Sequence, residues 1–236
     1  TYHSSDTYGL TVTTVAASDS GFRAKNKPKF KALELGQTKP NSTLESAFPG
    51  HSLTEFRNDY AFAGIKEDGT VITWGDSNSG GDSSEVTSEL KNVSKIFSNS
   101  KSFAALISDG SVVTWGHETF GGNSDSVASK INGKNNVIDI ASTKSAFAAL
   151  REDGSVIVWG SDSNGGDVDQ ITQASLNSSK IEKIYSNISA FAAVTEEGSV
   201  ITWGYSGSGG NSSYVSSDLN GAKDVTKIYS TGSAFA

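Results

Sequence analysis

Small, apolar and polar positions alternate along this chain in a pattern that returns at a nearly fixed interval. In "SAFAALREDGSVIVWG" (145–160), small residues around one phenylalanine lead to Asp-Gly and then to an alternating run that ends in Trp-Gly. Asp-Gly between two apolar runs is a strong hairpin signal, because glycine adopts a positive φ at little cost. The pattern predicts two antiparallel strands joined by a tight turn.

The pattern repeats about every 44 residues. The phenylalanine returns after 41, 44, 44 and 44 residues, and the Trp-Gly pair after 41, 44 and 44. Each hairpin is followed by a Gly-Gly loop, by an Asp or Asn typical of a helix N-cap, and by a third apolar run such as "KIYS". Three strands and a helical turn make a unit the size of a propeller blade. The N-cap candidates are Asp82, Asn123, Asp167 and Asn211, and the structural anchors of the repeat are Phe62, Trp74, Phe103, Trp115, Phe147, Trp159, Phe191 and Trp203.

The repeat extends over almost the whole sequence, so we expect a single repeat domain, 1–236. Residues 1–61 form a degenerate first repeat, 62–102, 103–146, 147–190 and 191–234 are regular repeats, and 235–236 begin another. Because the chain starts and stops with the same element, we expect more repeats to follow in the full protein. The predicted fold is all-β, a β-propeller or propeller-like array of about 40–44-residue repeats, with about five to seven blades of three to four strands plus a short helical turn.

The repeats resemble the regulator of chromosome condensation family. The resemblance lies in "KIYSNISAFAAVTEEGSVITWGYSGSGG" (183–210), whose hairpin and Trp-Gly match the family pattern "DG-x-V/L-Y-x-WG". Two positions depart from it, since alanine or Ser102 replaces the family histidine and a bare Gly-Gly replaces "GQLG". The resemblance implies a β-propeller that acts as a binding surface, and it carries no functional residue over to this chain.

Composition narrows the function classes. The net charge of −7 argues against general nucleic-acid binding, which requires neutralisation of phosphates. The absence of cysteine excludes disulfides, thiolate metal sites and a cysteine nucleophile. Five Asn-x-Ser/Thr sequons permit glycosylation and an extracellular or cell-surface location, with an organelle lumen or a peripheral subunit of a complex as alternatives. The sequon residues are Asn41, Asn92, Asn177, Asn187 and Asn211.

Candidate chemistry is weak throughout. The histidines His3, His51 and His117 have no metal-ligand spacing. The segment "DSNSGGDSSEVT" (76–87) begins like a calcium loop but ends in Thr87, where a bidentate Glu belongs. The Gly-rich "GYSGSGG" (204–210) lacks the lysine of a phosphate loop, and no serine stands in a G-x-S-x-G motif. We therefore expect no enzyme activity, no cofactor and no metal.

The first repeat departs from the pattern in "FRAKNKPKFKALELG" (22–36), where the Asp-Gly turn and the tryptophan are missing. Basic residues fall on alternate positions and would share one face of a strand, over about 27 Å. The segment is either an edge strand that lysines protect from aggregation or a docking strip for an anionic partner, such as an acidic protein, lipid headgroups or a polysaccharide. The candidate docking residues are Arg23, Lys25, Lys27, Lys29 and Lys31.

The favoured function is a non-catalytic repeat scaffold, a structural or adhesive protein–protein interaction module within a larger surface protein or multi-subunit assembly. One alternative is a specific regulatory binding propeller of the exchange-factor or inhibitor type, which requires loops that differ strongly between blades on one rim. A second is a lectin-like glycan binder that uses the repeated tryptophans. The loops differ only modestly in sequence, which favours the scaffold.

Overall fold

Four three-stranded antiparallel sheets follow one another along the chain. The computed structural model describes residues 14–16 and 56–236 except residue 223. In each sheet the strands lie in sequence order, with the middle strand between its two neighbours. The strands are β1 (Thr14–Ala16), β2 (Ala61–Ile65) and β3 (Val71–Gly75); β4 (Val93–Ser98), β5 (Ser102–Ile107) and β6 (Val112–Gly116); β7 (Val137–Ser142), β8 (Ala146–Arg151) and β9 (Val156–Gly160); and β10 (Ile181–Ser186), β11 (Ala190–Thr195) and β12 (Val200–Gly204).

The hairpins form where the Asp-Gly and Glu-Gly pairs predict them. In the turn between β8 and β9, the N–H of Gly154 donates to the carbonyl of Arg151, and Gly154 has a φ of +81°. The carboxylate of Asp153 accepts the backbone N–H and the hydroxyl of Ser155, which fixes the turn further. Glycine is needed here because a side chain is strained at this φ.

Each middle strand has two unlike faces, and this difference holds the array together. On β5, Phe103, Ala105 and Ile107 point to the preceding sheet, and Ala104 and Leu106 point to the following one. The large face of one sheet, the Phe face, therefore packs on the small face of the sheet before it, the Ala face. This explains why the sequence places one phenylalanine among small residues. Because the interior is close-packed, a large face requires a small partner.

The same contact recurs between all consecutive sheets, and we call it a joint. Phe147 and Ala149 of β8 pack with Ala104 of β5. Phe191 and Ala193 of β11 pack with Ala148 of β8. The hydrophobic core is therefore a series of layers between sheets, as expected of propeller-like repeats.

A short helical turn follows each Gly-Gly loop, as predicted, and the third apolar run after it forms the first strand of the next sheet. The 3-10 turns that follow the Gly-Gly loops are Ser84–Val86, Asp125–Lys130 and Ser213–Val215, and the third repeat has an α-helix instead, α1 (Gln170–Ser178). The carboxylate of Asp169 caps this helix by accepting the N–H groups of Ile171 and Thr172. Asp167, which the sequence suggested as the cap, accepts only the N–H of Val168. In this repeat the cap prediction was therefore wrong by two residues. In the other repeats the N-cap position is a serine one residue later than predicted, although the side chains of Asp82, Asn123 and Asn211 do accept the N–H two residues later.

The first sheet takes its first strand from far away in sequence. Thr14–Ala16 pair with β2, Thr14 opposite Ile65 and Ala16 opposite Ala63. In the later sheets only a three-residue turn separates the first strand from the middle one. The interpretation of 1–61 as a degenerate repeat, and the other repeat boundaries, stay predictions.

Candidate functional site

The tryptophans of the repeat hold consecutive units together. Trp115, Trp159 and Trp203 each stack on the phenylalanine of their own sheet, with ring centroids 5.1–5.3 Å apart. Each indole N–H donates to the first glycine of the preceding Gly-Gly loop, at 3.0–3.2 Å. The three are nearly fully buried. A tryptophan used in this way cannot stack on a glycan, so the lectin-like reading is not supported at these three positions.

The Gly-Gly loops are shaped to receive these rings. Gly121 has a φ of +88°, and a Cβ on it would lie 2.9 Å from the ring of Phe147 and 3.1 Å from that of Trp159. Gly122 approaches the backbone of Gly116 so closely that a Cβ would lie 2.4 Å from its carbonyl oxygen. The loops that resembled phosphate or calcium loops are thus explained by the joint.

A buried side chain fastens each Gly-Gly loop to its own sheet, which sequence reasoning missed. The side-chain N–H of Asn99 donates to the carbonyl of Phe120 (2.6 Å), and its oxygen accepts the N–H groups of Lys101 and Ser102. We call this arrangement the latch. The same position, after 41, 44 and 44 residues, is filled by Asn58, Asn99, Thr143 and Asn187. That spacing was the available signal.

A ladder of backbone hydrogen bonds crosses the joints at the turns beside the latches. The N–H of Asp59 donates to the carbonyl of Ser100, that of Ser100 to Lys144, that of Lys144 to Ile188, and that of Ile188 to Gly232, at 2.9–3.3 Å. Each step links equivalent positions of neighbouring repeats. Because backbone groups form the ladder, it places no demand on side chains, which differ at every step.

The latches and the turns beside them form one edge of the array, which we call the latch rim, and side chains on this rim vary between repeats. The largest departure lies where the first and second units meet, and we call it the rim cluster: Tyr60, Lys101, His117 and Phe120. The ammonium of Lys101 lies 5.5 Å from the ring centroid of Tyr60 and 5.3 Å from that of Phe120, both within cation–π range. His117 packs edge-on against Phe120, with centroids 5.1 Å apart. The third repeat has Ser145, Ser161 and Asn164 at the positions of Lys101, His117 and Phe120.

The rim cluster is suited to binding. Tyr60 is 53% exposed, and Lys101, His117 and Phe120 are half-buried. Rigid aromatic rings around a held cation present both apolar area and charge at low entropic cost, which is typical of interface anchors. The sequence indicated that loops differ modestly, and the structure shows that four of the differing side chains, those of the rim cluster, lie in contact with one another.

The other predicted residues fall in different places. The basic segment Arg23, Lys25, Lys27, Lys29 and Lys31 lies outside the described residues, as do His3, His51 and Asn41. In the described part of the chain, no group of three His, Asp or Glu side chains is arranged to hold a metal ion. Among the sequons, Asn187 is fully buried in its latch, whereas Asn92, Asn177 and Asn211 are exposed.

No family model and no curated protein matches this chain. Solved structures do. Yeast Prp20p, which is yeast RCC1, matches at 17% identity and a TM-score of 0.46, over 65% of this chain and 45% of Prp20p. Human WBSCR16 matches at 18% identity and a TM-score of 0.45, over 63% and 46%. The CRINKLY WD40 ectodomain of the Arabidopsis receptor kinase ACR4 matches at 19% identity and a TM-score of 0.40, over 62% and 50%.

The chain is similar to RCC1-type propellers. The predicted all-β repeat fold is confirmed, and the resemblance seen in the repeats recurs among the solved structures. The matched part of this chain spans half or less of the length of each of these structures. Prp20p was studied for its binding to Gsp1p and histones. At this identity and TM-score, the similarity does not extend to what this chain binds.

Proposed function

We propose that this chain is a non-catalytic repeat scaffold, a protein–protein interaction module of a larger surface protein or multi-subunit assembly. The observation that carries the proposal is that recurring and variable residues have different roles within each repeat. The recurring residues, represented by Phe147, Trp159, Gly121 and Asn99, serve the joints and latches. The residues that change between repeats, such as Tyr60, Lys101 and His117, lie on the latch rim and are exposed or half-buried. Recurring residues therefore stabilise the array, and variable residues are available to bind partners.

The proposed attachment element is the basic segment from Arg23 to Lys31, which would bind an anionic partner. Its support is the five cations on alternate residues in a chain of net charge −7. Such binding is steeply salt-dependent, because the Debye length falls from about 10 Å at 0.1 M to about 3 Å at 1 M. The edge-protection reading predicts no such dependence.

The experiment is co-purification of partners from the native source with the 236-residue chain as bait. Changing Lys25, Lys27 and Lys29 to Glu should abolish partner recovery at 0.1 M salt and leave the melting temperature unchanged. The matched control changes Lys91, Lys130 and Lys134 to Glu, three exposed lysines elsewhere, with the same total charge change. Loss in both variants would indicate a general charge effect, and loss in neither would leave only edge protection.

The rim cluster favours a second candidate, a specific regulatory binding propeller. It gathers three aromatic side chains and a lysine at one place on one rim, which that function requires. Replacing Lys101 by Glu and Phe120 by Ala should then remove one stoichiometric partner. Tyr205→Ala, on the same rim in the fourth repeat, is the control. A single soluble enzyme or GTPase recovered at one-to-one ratio, and lost only in the rim variant, would place this candidate ahead of the scaffold.

The proposed location is extracellular or at the cell surface. The exposed sequons Asn92, Asn177 and Asn211 support it. No helix among the described residues is both long and apolar enough to cross a membrane. Mass spectrometry of the native protein for glycans at these three positions tests the location.

A further inference from the structure

A cleft of about 960 Å³ lies along β6, where the first and second repeats meet, and we call it the acidic cleft. The 3-10 turn Ser84–Val86 and its neighbours line it from the first repeat, and β6 and the residues after it line it from the second. Among the described residues, no lysine, arginine or histidine lines it, whereas five exposed carboxylates do, none of them in an ion pair. They belong to Asp82, Glu85, Glu89, Glu118 and Asp125. The cleft thus concentrates negative charge of one sign.

These carboxylates are particular to this joint and are not a product of the repeat. At the joint between the second and third repeats, the equivalent positions carry two carboxylates and a lysine, a charge of −1 instead of −5. At the joint between the third and fourth repeats they carry one carboxylate. The equivalent residues are Asn123, Ser126, Lys130, Asp162 and Asp169 at the former, and Asp167, Gln170, Ala174, Ser206 and Ser213 at the latter. Because like charges repel, five carboxylates around one cleft favour a cationic occupant.

The free edge of β6 presents a backbone group that lacks a partner. The N–H of Val112 faces this edge and donates to the carbonyl of Ile131 at 2.9 Å. Because backbone groups alternate in direction along a strand, the N–H of Thr114 faces the same edge. No acceptor for it is found in the part of the chain that the structure describes, although Thr114 lines the cleft and is only 8% exposed. Buried N–H groups are nearly always paired, and an extended chain added beside a strand supplies the missing carbonyl.

The sequence contains an extended, cationic candidate, the basic segment, which lies outside the described residues. It offers five cations, from Arg23 to Lys31, to five carboxylates. Ala16 is paired with β2, and the seven residues from Ala16 to Arg23 span at most about 25 Å. The two edges of the first sheet, β1 and β3, lie about 10 Å apart. A tether this short gives a high effective concentration, which favours the segment of the same chain over that of another copy.

We propose that the basic segment docks in the acidic cleft of its own chain, extended beside β6, with its cations facing the five carboxylates. The inference rests on the docking-strip interpretation of the proposed function, and it names an anionic site for that strip. Any external anionic partner then competes with the cleft for the same cations. Because all five carboxylates are exposed, salt screens the contact.

Limited trypsin digestion of the 236-residue chain tests the proposal, because trypsin cleaves after lysine and arginine and a docked segment resists it. Changing Glu85, Glu89 and Glu118 to Gln should accelerate cleavage within residues 23–31 about tenfold at 0.1 M salt, measured by mass spectrometry. At about 1 M salt the wild type should be cleaved as fast as this variant. The control carries the same charge change at exposed carboxylates elsewhere, Glu182→Gln, Glu197→Gln and Asp218→Asn, and should be cleaved like the wild type.

Protection should be the same at about 1 and 100 μM protein, because docking within one chain does not depend on concentration. Protection that appears only at the higher concentration would assign the cleft to a second copy and overturn docking within the chain. Equal cleavage of the wild type and the cleft variant would overturn the acidic cleft as the site. Circular dichroism melts verify that each variant folds. If only the cleft is wrong, cleavage rates are equal while partner recovery still depends on Lys25, Lys27 and Lys29, so the two failures are distinguishable.

Discussion

The indole N–H of Trp159 reaches across the joint to the carbonyl oxygen of Gly121, 3.1 Å away and 38 residues earlier in the sequence. The bond requires the loop backbone to touch the ring, and only a residue without a side chain permits that approach. A residue that the sequence presents as a flexible loop glycine is therefore a buried contact of the core.

Gly121→Ala should consequently be strongly destabilising. Its methyl group would lie 2.9 Å from Phe147 and 3.1 Å from Trp159, at a φ of +88°. Overpacking of a core commonly costs about 1–3 kcal/mol, and the positive φ adds to that. Urea unfolding followed by circular dichroism gives the loss. Gly207→Ala is the control, because its methyl would meet only the exposed ring of Tyr205, which can move.

Removing the phenylalanine from the same joint tests the layered core. Phe147 is fully buried between two sheets, so Phe147→Ala should lower the free energy of unfolding by about 3–5 kcal/mol. Because each joint serves two repeats, the loss should reduce hydrogen-exchange protection on both sides of it. Tyr214→Ala, at a residue that is 98% exposed, should leave both measurements unchanged. A Phe147→Ala protein that melts within a degree or two of wild type would refute the packing described for this joint.

The hydrogen bonds of the latch can be tested by substitution, and the residue found at the same position in another repeat provides the control. Asn99→Ala leaves three backbone groups without their partner, and unsatisfied buried groups cost about 1–3 kcal/mol each. Asn99→Thr should cost much less, because Thr143 already fills this position in the next repeat by bonding to Asn164 and Ala146. Equal losses in the two variants, measured by urea unfolding, would show that the latch hydrogen bonds are not what stabilises the turn.

Burial separates the sequons. Asn187 donates to the carbonyl of Ser208 and accepts two backbone N–H groups, so a glycan on its side chain is incompatible with the folded latch. In a chain secreted from a eukaryotic host, folded protein should carry glycans at Asn92, Asn177 or Asn211 and none at Asn187. Glycopeptide mass spectrometry of the monomeric fraction provides the measurement. A folded, fully glycosylated Asn187 would contradict the latch geometry.

The aspartates of the hairpin turns should make the free energy of unfolding depend on pH in the acid range. The hydroxyl and the backbone N–H of Ser155 hold the pKa of the Asp153 carboxyl below its ordinary value, and Ser111 does the same for Asp109. A pKa lowered in the folded state stabilises the protein above the unfolded pKa, near 4, and this stabilisation is lost as pH falls through the folded value. The stability advantage of wild type over Asp153→Asn should therefore shrink as pH falls from about 5 through the lowered pKa of Asp153. Thermal melts across this range measure it, and a constant difference would contradict the charged hydrogen bonds.

Much of the array could be predicted from the sequence because its signals are local. Asp153-Gly154 identifies a hairpin by turn chemistry alone, and the spacing of Phe147 and Trp159 within that hairpin pairs them across it. What could not be predicted depends on contacts between repeats. The acceptor of Trp159 and the latch role of Asn99 join residues that are far apart or chemically unremarkable, since asparagine is common throughout the chain.

The cap of α1 was mispredicted for a related reason. Asp167 is equivalent to Asp82, Asn123 and Asn211, whose side chains accept the backbone N–H two residues later, but in this repeat one further residue precedes the helix. Aligning the repeats predicts that residues at equivalent positions have the same role. The residue that caps a helix, however, is the one whose carboxylate can reach the free N–H groups at the helix start. Asp169 reaches two of them.

The backbone ladder from Asp59 to Gly232 has a consequence for how such a chain can change its length. Excising residues 147–190 would join Ala146 to Phe191, bring the N–H of Lys144 to the carbonyl of Gly232, and offer Trp203 the carbonyl of Gly121. Each severed bond is replaced by one of the same kind between the same kinds of atoms. Duplication or loss of a whole repeat in the gene would therefore leave every remaining boundary chemically unaltered, so that the number of repeats can drift while the fold persists.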